Sequence, residues 1–156
     1  MARACPHLEI TAIDLPQIAP IAQKIVNEEG AAGRIKVLAA DLLSGPLPSS
    51  YDAAILRALI QVLSPDEARL ALKNVAPAIK PGGMLYIVGQ ILDDTRTSPP
   101  EAVWFNLNFI NVFDSGESYT ESEHREWLSE AGFIDIERAK LPLAQGLGLM
   151  TGRKAE

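Results

Sequence analysis

The sequence predicts an α/β protein with a doubly wound, mostly parallel sheet and helices on both faces. Short apolar, β-branched runs alternate with segments of helical periodicity, and the junctions between them carry helix-start and turn signals. The last two strand-like runs are joined only by Leu-Pro-Leu-Ala-Gln, too short for a parallel crossover, so the C-terminal pair should be antiparallel. At 156 residues the chain is expected to form one domain over its whole length.

The elements follow in order. Leu8 to Asp14, LEITAID, reads as a buried strand closed by Asp-Leu-Pro. Pro16 suits the first turn of a helix, where its missing N–H costs nothing. Ile18, Ile21, Ala22, Ile25 and Val26 continue at helical spacing until Gly30 stops them. Ile35 to Leu43 and Tyr51 to Ile60 are the second and third strands. Ser64-Pro65-Asp66-Glu67 forms a capping box, opening a helix with one apolar stripe of Ala68, Leu72, Val75, Ala76 and Ile79, bent at Pro77. Lys80-Pro81-Gly82-Gly83 reads as a turn into the strand Met84 to Leu92.

Asp93 to Pro100 is polar and proline-bearing, hence a loop, and Glu101 to Phe113 forms a helix rich in aromatic and amide side chains. Thr120 to Glu123 is a second capping box, starting a helix that Gly132 ends. Phe133 to Lys140 and Gly146 to Lys154 are the closing strands. In a sheet of this type ligands bind beyond the carboxyl ends of the strands, which directs attention to the residues there.

Composition narrows the classes. Apolar residues make up 47% and charged residues 22%, as in ordinary globular domains. A net charge of -6 and a pI near 4.9 argue against nucleic acid or an anionic membrane surface as partner. Cys5 is the only cysteine, which excludes an intrachain disulfide; a cytoplasmic setting is expected, and Cys5 is assigned no chemistry. No run approaches the roughly 20 apolar residues of a membrane span. No metal set is expected.

Three residues stand at strand ends. Asp14 either accepts the hydroxyls of a nucleotide ribose or caps the helix that follows it. Asp41 either accepts from an adenine amino group or caps the turn through Leu42, Leu43 and Ser44. Arg57, in apolar surroundings, either reaches a cofactor carboxylate or extends to solvent.

The ordered series IDLP, VLAADLL, LSPDEA with LKN and KPGG, and YTESEHREWLSEAGF resembles the C-terminal catalytic domain of S-adenosylmethionine-dependent O-methyltransferases of the plant caffeate and bacterial polyketide type. The resemblance spans nearly the whole chain, although no single piece is diagnostic. It implies a Rossmann-like methyltransferase sheet with S-adenosylmethionine as cofactor. Asp14 and Leu15 would stand at the ribose, Asp41 and Leu42 at the adenine, and Arg57 near the cofactor. It also implies a small-molecule acceptor, with Gln61, Trp104, Phe105, Asn108 and Phe109 as candidate contacts. The alternative for the aromatics is ordinary core packing.

Three departures from the family pattern stand out. Gln61 occupies the place where many relatives carry a His base, and an amide cannot take a phenolic proton. Gly89 stands where relatives often carry a Glu that braces that base. Neither His7, before the first strand, nor His124, expected on a solvated helix face, replaces them, so no catalytic side chain is assigned. The family's first, central strand and its glycine-rich turn precede the segment corresponding to LEITAID, as does a helical dimerisation region. These are expected to be missing, making this an N-terminally truncated domain completed in a homodimer or by a partner-supplied N-terminal region. The expected function is methyl transfer to a hydroxyl of a small, aromatic molecule. The alternatives are a noncatalytic binding or assembly module of the same fold and, more weakly, a nicotinamide-binding protein.

Overall fold

β-Branched and apolar runs form strands wherever a neighbouring run can satisfy their backbone groups. The computed structural model describes residues 2, 4–48, 50–112, 115–140 and 147–156. These fall into two compact units, Met1–Gly45 and Pro46–Glu156.

In the first unit β1 (Ile10–Asp14) and β2 (Ile35–Ala39) pair in parallel, from Ile10 opposite Ile35 to Asp14 opposite Ala39. The crossover between them carries α1 (Ala19–Glu28). Pro16 stands in the turn before the helix, and Pro20 takes its early proline position. The expected apolar stripe is only partly covered. Ala19 and Val26 are buried, whereas Ile21 is 56% and Ile25 54% exposed. Two strands about 4.8 Å apart are too narrow to cover the face of a helix roughly 10 Å across.

The second unit contains β3 (Tyr51–Arg57), α2 (Pro65–Val75), β4 (Ile79–Leu92), α3 (Pro100–Val112), β5 (Tyr119–Thr120), α4 (Glu121–Glu130), β6 (Phe133–Lys140) and β7 (Leu147–Lys154). Its sheet has the order β3-β4-β7-β6, with the short β5 pairing β4. β3 and β5 run parallel to β4, while β7 runs antiparallel to both β4 and β6. The expected antiparallel ending is therefore present, and an α/β fold with a mixed sheet is established.

Both capping boxes form. Ser64 Oγ accepts from the Glu67 N–H while Glu67 Oε2 accepts from the Ser64 N–H at 2.8 Å, and Thr120 and Glu123 repeat the exchange. α2 stops at Val75, and a 3-10 turn over Ala76–Ala78 carries Pro77. Leu72 and Val75 from α2, Trp127 and Leu128 from α4, and Leu85, Ile87, Ile91 and Met150 from the sheet make the core.

Several boundaries differ from expectation: β1 begins at Ile10, α1 at Ala19, and β2 stops at Ala39, four residues short of Leu43. The third strand ends at Arg57, because Ala58 takes φ 54 and the chain passes into a 3-10 turn at Ile60–Val62. Lys80 to Gly83 belongs to β4 as a bulge: Tyr51 pairs with Ile79 and Ala53 with Met84, so the intervening residues leave the ladder. Gly83 is required there, since a Cβ would lie 2.8 Å from the Asp52 carbonyl oxygen. The helix end expected at Phe113 and the link from Leu141 to Gln145 lie outside the described residues.

Candidate functional site

The parallel register of the first unit brings two candidate carboxylates to one end of its sheet. Asp14 is the last residue of β1, and Asp41 lies two positions beyond the Ala39 that pairs with it. The Asp14 carbonyl accepts from the Ala40 N–H at 2.9 Å, which fixes the two chain ends together. Asp14 Oδ1 accepts from the Leu15 N–H at 2.8 Å, and its exposed carboxylate keeps further acceptor capacity. Asp41 closes its own turn, accepting from the Leu43 N–H and the Ser44 hydroxyl, each at 2.9 Å. Asp41 thus caps its turn as expected, whereas Asp14 does not cap α1, whose N-cap is Ile18 with no side-chain bond; both carboxylates keep acceptor capacity, because a carboxylate has about four acceptor sites.

In the second unit Arg57 closes β3 opposite Val88, exposed, its side chain making no hydrogen bond or ion pair among the described residues. Four residues on, Gln61 is 8% exposed, and its Oε1 accepts from the Gln90 N–H at 2.9 Å. The amide lies directly over Gly89, where a Cβ would meet that oxygen at 2.7 Å. Gln61 and Gly89 therefore fit each other sterically: the longer side chain fills the space that a side chain at 89 would occupy. Gly116 closes the other side, with a Cβ position 2.6 Å from the Gln61 carbonyl, and Tyr119 donates its hydroxyl to the Leu63 carbonyl at 2.5 Å. Burial and nearby acidic residues push the Tyr119 phenol up to about 12, so it stays a donor.

Gln90 escaped the sequence reading, although a polar residue inside the apolar run MLYIVGQIL was a visible signal. Its side chain is buried, and its Oε1 has no hydrogen-bond partner among the described residues. Beyond it, Arg138 reaches from β6 to the carbonyls of Ile91 and Leu92 at 2.9 and 3.3 Å, anchoring the end of β4. Asp93 accepts from Ser98 and Thr95 at 2.5 and 2.6 Å, and these bonds hold its carboxyl below the usual range. Asp94 caps α4 through Ser122 in the same way.

The α3 candidates separate into two groups. Phe109 is buried and meets Phe105 edge-on, with centroids 5.4 Å apart. Trp104 is 71% exposed, and Asn108 is exposed beside it in the chain order of the helix. His124 corrects an expectation: it is 2% exposed rather than solvated, with Nδ1 2.8 Å from the Thr120 carbonyl and its ring against Tyr119 and Trp127. Desolvation depresses its pKa and keeps the imidazole neutral. His7 is exposed in the first unit. Among the described residues no cluster of three or more His, Cys, Asp or Glu side chains could hold a metal ion.

Comparison with known proteins places this arrangement. Residues 1–134 match the O-methyltransferase domain family. The chain is 30% identical over 155 residues to a 3-hydroxy-5-methyl-1-naphthoate 3-O-methyltransferase of Streptomyces sahachiroi, covering 99% of this chain and 45% of that protein. The apo structure of the S-adenosylmethionine-dependent methyltransferase SibL is 28% identical with a TM-score of 0.90, covering 99% of this chain and 46% of that one. PigF with SAH is 25% identical with a TM-score of 0.87, over 98% and 45% respectively. The chain thus spans less than half the length of the relatives it matches. The family model covers residues 1–134, and the chain belongs to the O-methyltransferase domain family.

Proposed function

We propose that this chain is part of an S-adenosylmethionine-dependent O-methyltransferase acting on a hydroxyl of a small, aromatic molecule. The observation that carries this is the placement of Asp14 and Asp41 at the carboxyl ends of adjacent parallel strands in a family member. A carboxylate there can accept both ribose hydroxyls, the role we give Asp14 with Leu15 beside it. Asp41 and Leu42 take the adenine side, and the unpaired guanidinium of Arg57 takes the cofactor carboxylate. Each unit by itself offers matching chemistry, carboxylates for the cofactor's hydroxyls and amine in the first and a guanidinium for its carboxylate in the second. Bound there, it would supply a sulfonium methyl group that is already a strong electrophile.

Gln61 supplies no base. An amide does not take up a proton near neutrality, and its Oε1 is engaged by the Gln90 N–H. The acceptor hydroxyl therefore has to arrive already ionised, and the protein contributes alignment, which lowers a barrier by several kcal/mol through proximity. Trp104, Phe105 and Asn108 are the acceptor contacts in this reading, with Phe109 as their buried support and Gln61 as the fixed floor.

We further propose that the two units are parts of one methyltransferase domain. β1 and β3 each have one edge without a partner strand among the described residues, which supports a strand and a glycine-rich turn supplied from outside them. A helical dimerisation region, in a homodimer or from a partner, belongs to the same proposal. The loss of a His base at position 61 also supports a second reading, a noncatalytic binding module of the same fold.

Calorimetric titration with S-adenosylmethionine separates these readings. The first expects heat that weakens about tenfold in Asp14→Ala, the loss of a hydrogen bond to a charged group. No heat at millimolar cofactor would remove it. Where the cofactor binds, a mass gain of one methyl on a phenol panel favours the enzyme, and its absence favours the module. The methylation rate should rise tenfold per pH unit up to the acceptor's own pKa; a flat profile below that pKa would mean a base is present.

A further inference from the structure

Where β3 turns away at Ala58, a side chain takes over its place in the ladder. The Val88 carbonyl still accepts from the Ala58 N–H at 2.8 Å, but two residues further along β4 the Gln90 N–H donates to Gln61 Oε1 at 2.9 Å. Only an oxygen can meet that N–H, so the orientation of the amide is fixed and its NH2 group is turned the other way. A Cβ at Gly89 would come within 2.7 Å of Oε1 and 3.8 Å of Cδ, with Nε2 beyond 4 Å, which puts the two amide hydrogens on the side away from β4. Neither hydrogen has an acceptor among the described residues, although the side chain is buried.

The root of this side chain is held as firmly. Gly116, at φ 100, lets its segment lie against the backbone of Gln61 and Val62, where a Cβ would stand 2.6 and 2.9 Å from their atoms. Two residues on, Ser118 donates its N–H to Asn106 Oδ1 at 2.7 Å and its hydroxyl to the Ala102 carbonyl at 3.4 Å. One short segment thus joins Gln61 to α3, the helix of Trp104 and Phe105. Of the ionisable groups on these adjoining segments, Glu117 pairs with Arg96 at 3.3 Å, Glu67 is bound into its cap by Ser64, and Tyr119 keeps its proton. His124 is buried against Tyr119 and Trp127. None of them is placed as a base beside the amide.

We propose that Gln61 determines acceptor specificity: its fixed NH2 group donates to the reacting oxygen and selects an aromatic hydroxyl that is already ionised, one acidified by a conjugated electron-withdrawing group. This rests on the methyl-transfer reading above and names the substrate class of that site. A hydrogen bond to an ionised oxygen is about twice as strong as one to a neutral oxygen, and more so where water is scarce. A neutral hydroxyl also needs an acceptor for its own hydrogen, and the edge of the amide turned away from β4 carries only donors. The chain thereby favours acceptors from which no proton has to be removed in the site.

4-Nitrophenol, coloured only when ionised, is the probe, titrated against the full chain over a series of pH values. Bound, it should ionise about one pH unit below the free probe, a tenfold preference for the anion. The side-chain NH2 signal of Gln61, assigned through its bonds in the ¹⁵N-labelled chain, should move as the probe saturates. Gln61→Glu keeps an oxygen on the Gln90 N–H and exchanges the donor for a second oxygen, so it should abolish the preference. Absence of saturable binding at millimolar probe, ionisation at or above the free value, a Gln61 signal that stays still, or an unchanged preference in Gln61→Glu would each overturn the proposal. If that variant loses its native spectrum, the shifted ionisation and the moving NH2 signal must both occur in the unmodified chain, and failure of either counts against the donor. Heat with S-adenosylmethionine without this preference removes the present inference alone. The preference without that heat keeps Gln61 as a phenolate donor and removes methyl transfer.

Discussion

Replacing Gly89 by alanine tests the interlock between Gln61 and β4. The new Cβ would stand 2.7 Å from Gln61 Oε1, well inside contact distance, so the amide must leave its place on the Gln90 N–H. Both groups are buried, and a displaced amide leaves that N–H without an acceptor, at a cost of about 1–3 kcal/mol. Overpacking adds a similar amount, and the reduced freedom of the unfolded chain returns about 0.4–1 kcal/mol. A net loss of about 2–3 kcal/mol is expected, which for a chain of 156 residues lowers the melting temperature by roughly 5–10 °C. Urea unfolding of the four-member cycle with Gln61→Ala is the assay. Once the amide is removed the alanine at 89 has room, so its cost should nearly vanish and the coupling should exceed about 1 kcal/mol. Additivity within about 0.5 kcal/mol, or a neutral Gly89→Ala, would refute the interlock.

Two further outcomes follow from the same unit. Ser64→Ala and Thr120→Ala should each lower stability by about 1 kcal/mol in urea unfolding, because each removes an acceptor from the first turn of a helix. His124 is held neutral by burial, so below its ordinary value of 6.5 the unfolded chain takes up a proton that the folded chain does not. Glu123 raises and Arg138 lowers its affinity for that proton, and burial outweighs both. Stability should therefore be full above pH 6.5 and fall as the pH drops, by up to about 1.4 kcal/mol per unit, with the slope reduced in His124→Gln; an equal slope in that variant would place the titration elsewhere.

Much of the local structure was legible because it is decided within a few residues. Ser64 with Glu67 and Thr120 with Glu123 form their caps from groups three positions apart, and both helices begin where those pairs stand. The strand runs at Ile35 and Tyr51 and the closing pair also begin within a residue of expectation, since β-branched alternation is a local signal. The Lys80 to Gly83 segment was read as a turn because proline and glycine break ladders, but Tyr51 and Asp52 on the neighbouring strand absorb it as a bulge. His124 was misread for a related reason: a charged neighbourhood in sequence, Glu121 to Glu126, says little about which helix face meets Tyr119 and Trp127.

The sequence by itself determined the alternation of strands and helices, the antiparallel ending, the acidic residues at strand ends and the family to which they point. These depend on periodicity, chain connectivity and residue type, all of which are carried along the chain. Only the tertiary structure decided that Gln61 is bound to the Gln90 backbone above Gly89, that His124 is buried and neutral, and that Arg69 of α2 pairs with Glu130 of α4. Each of these joins residues about 30 to 60 positions apart or turns on which face of an element meets the core, and the free energies involved exist only once distant backbone and side-chain groups share a desolvated space.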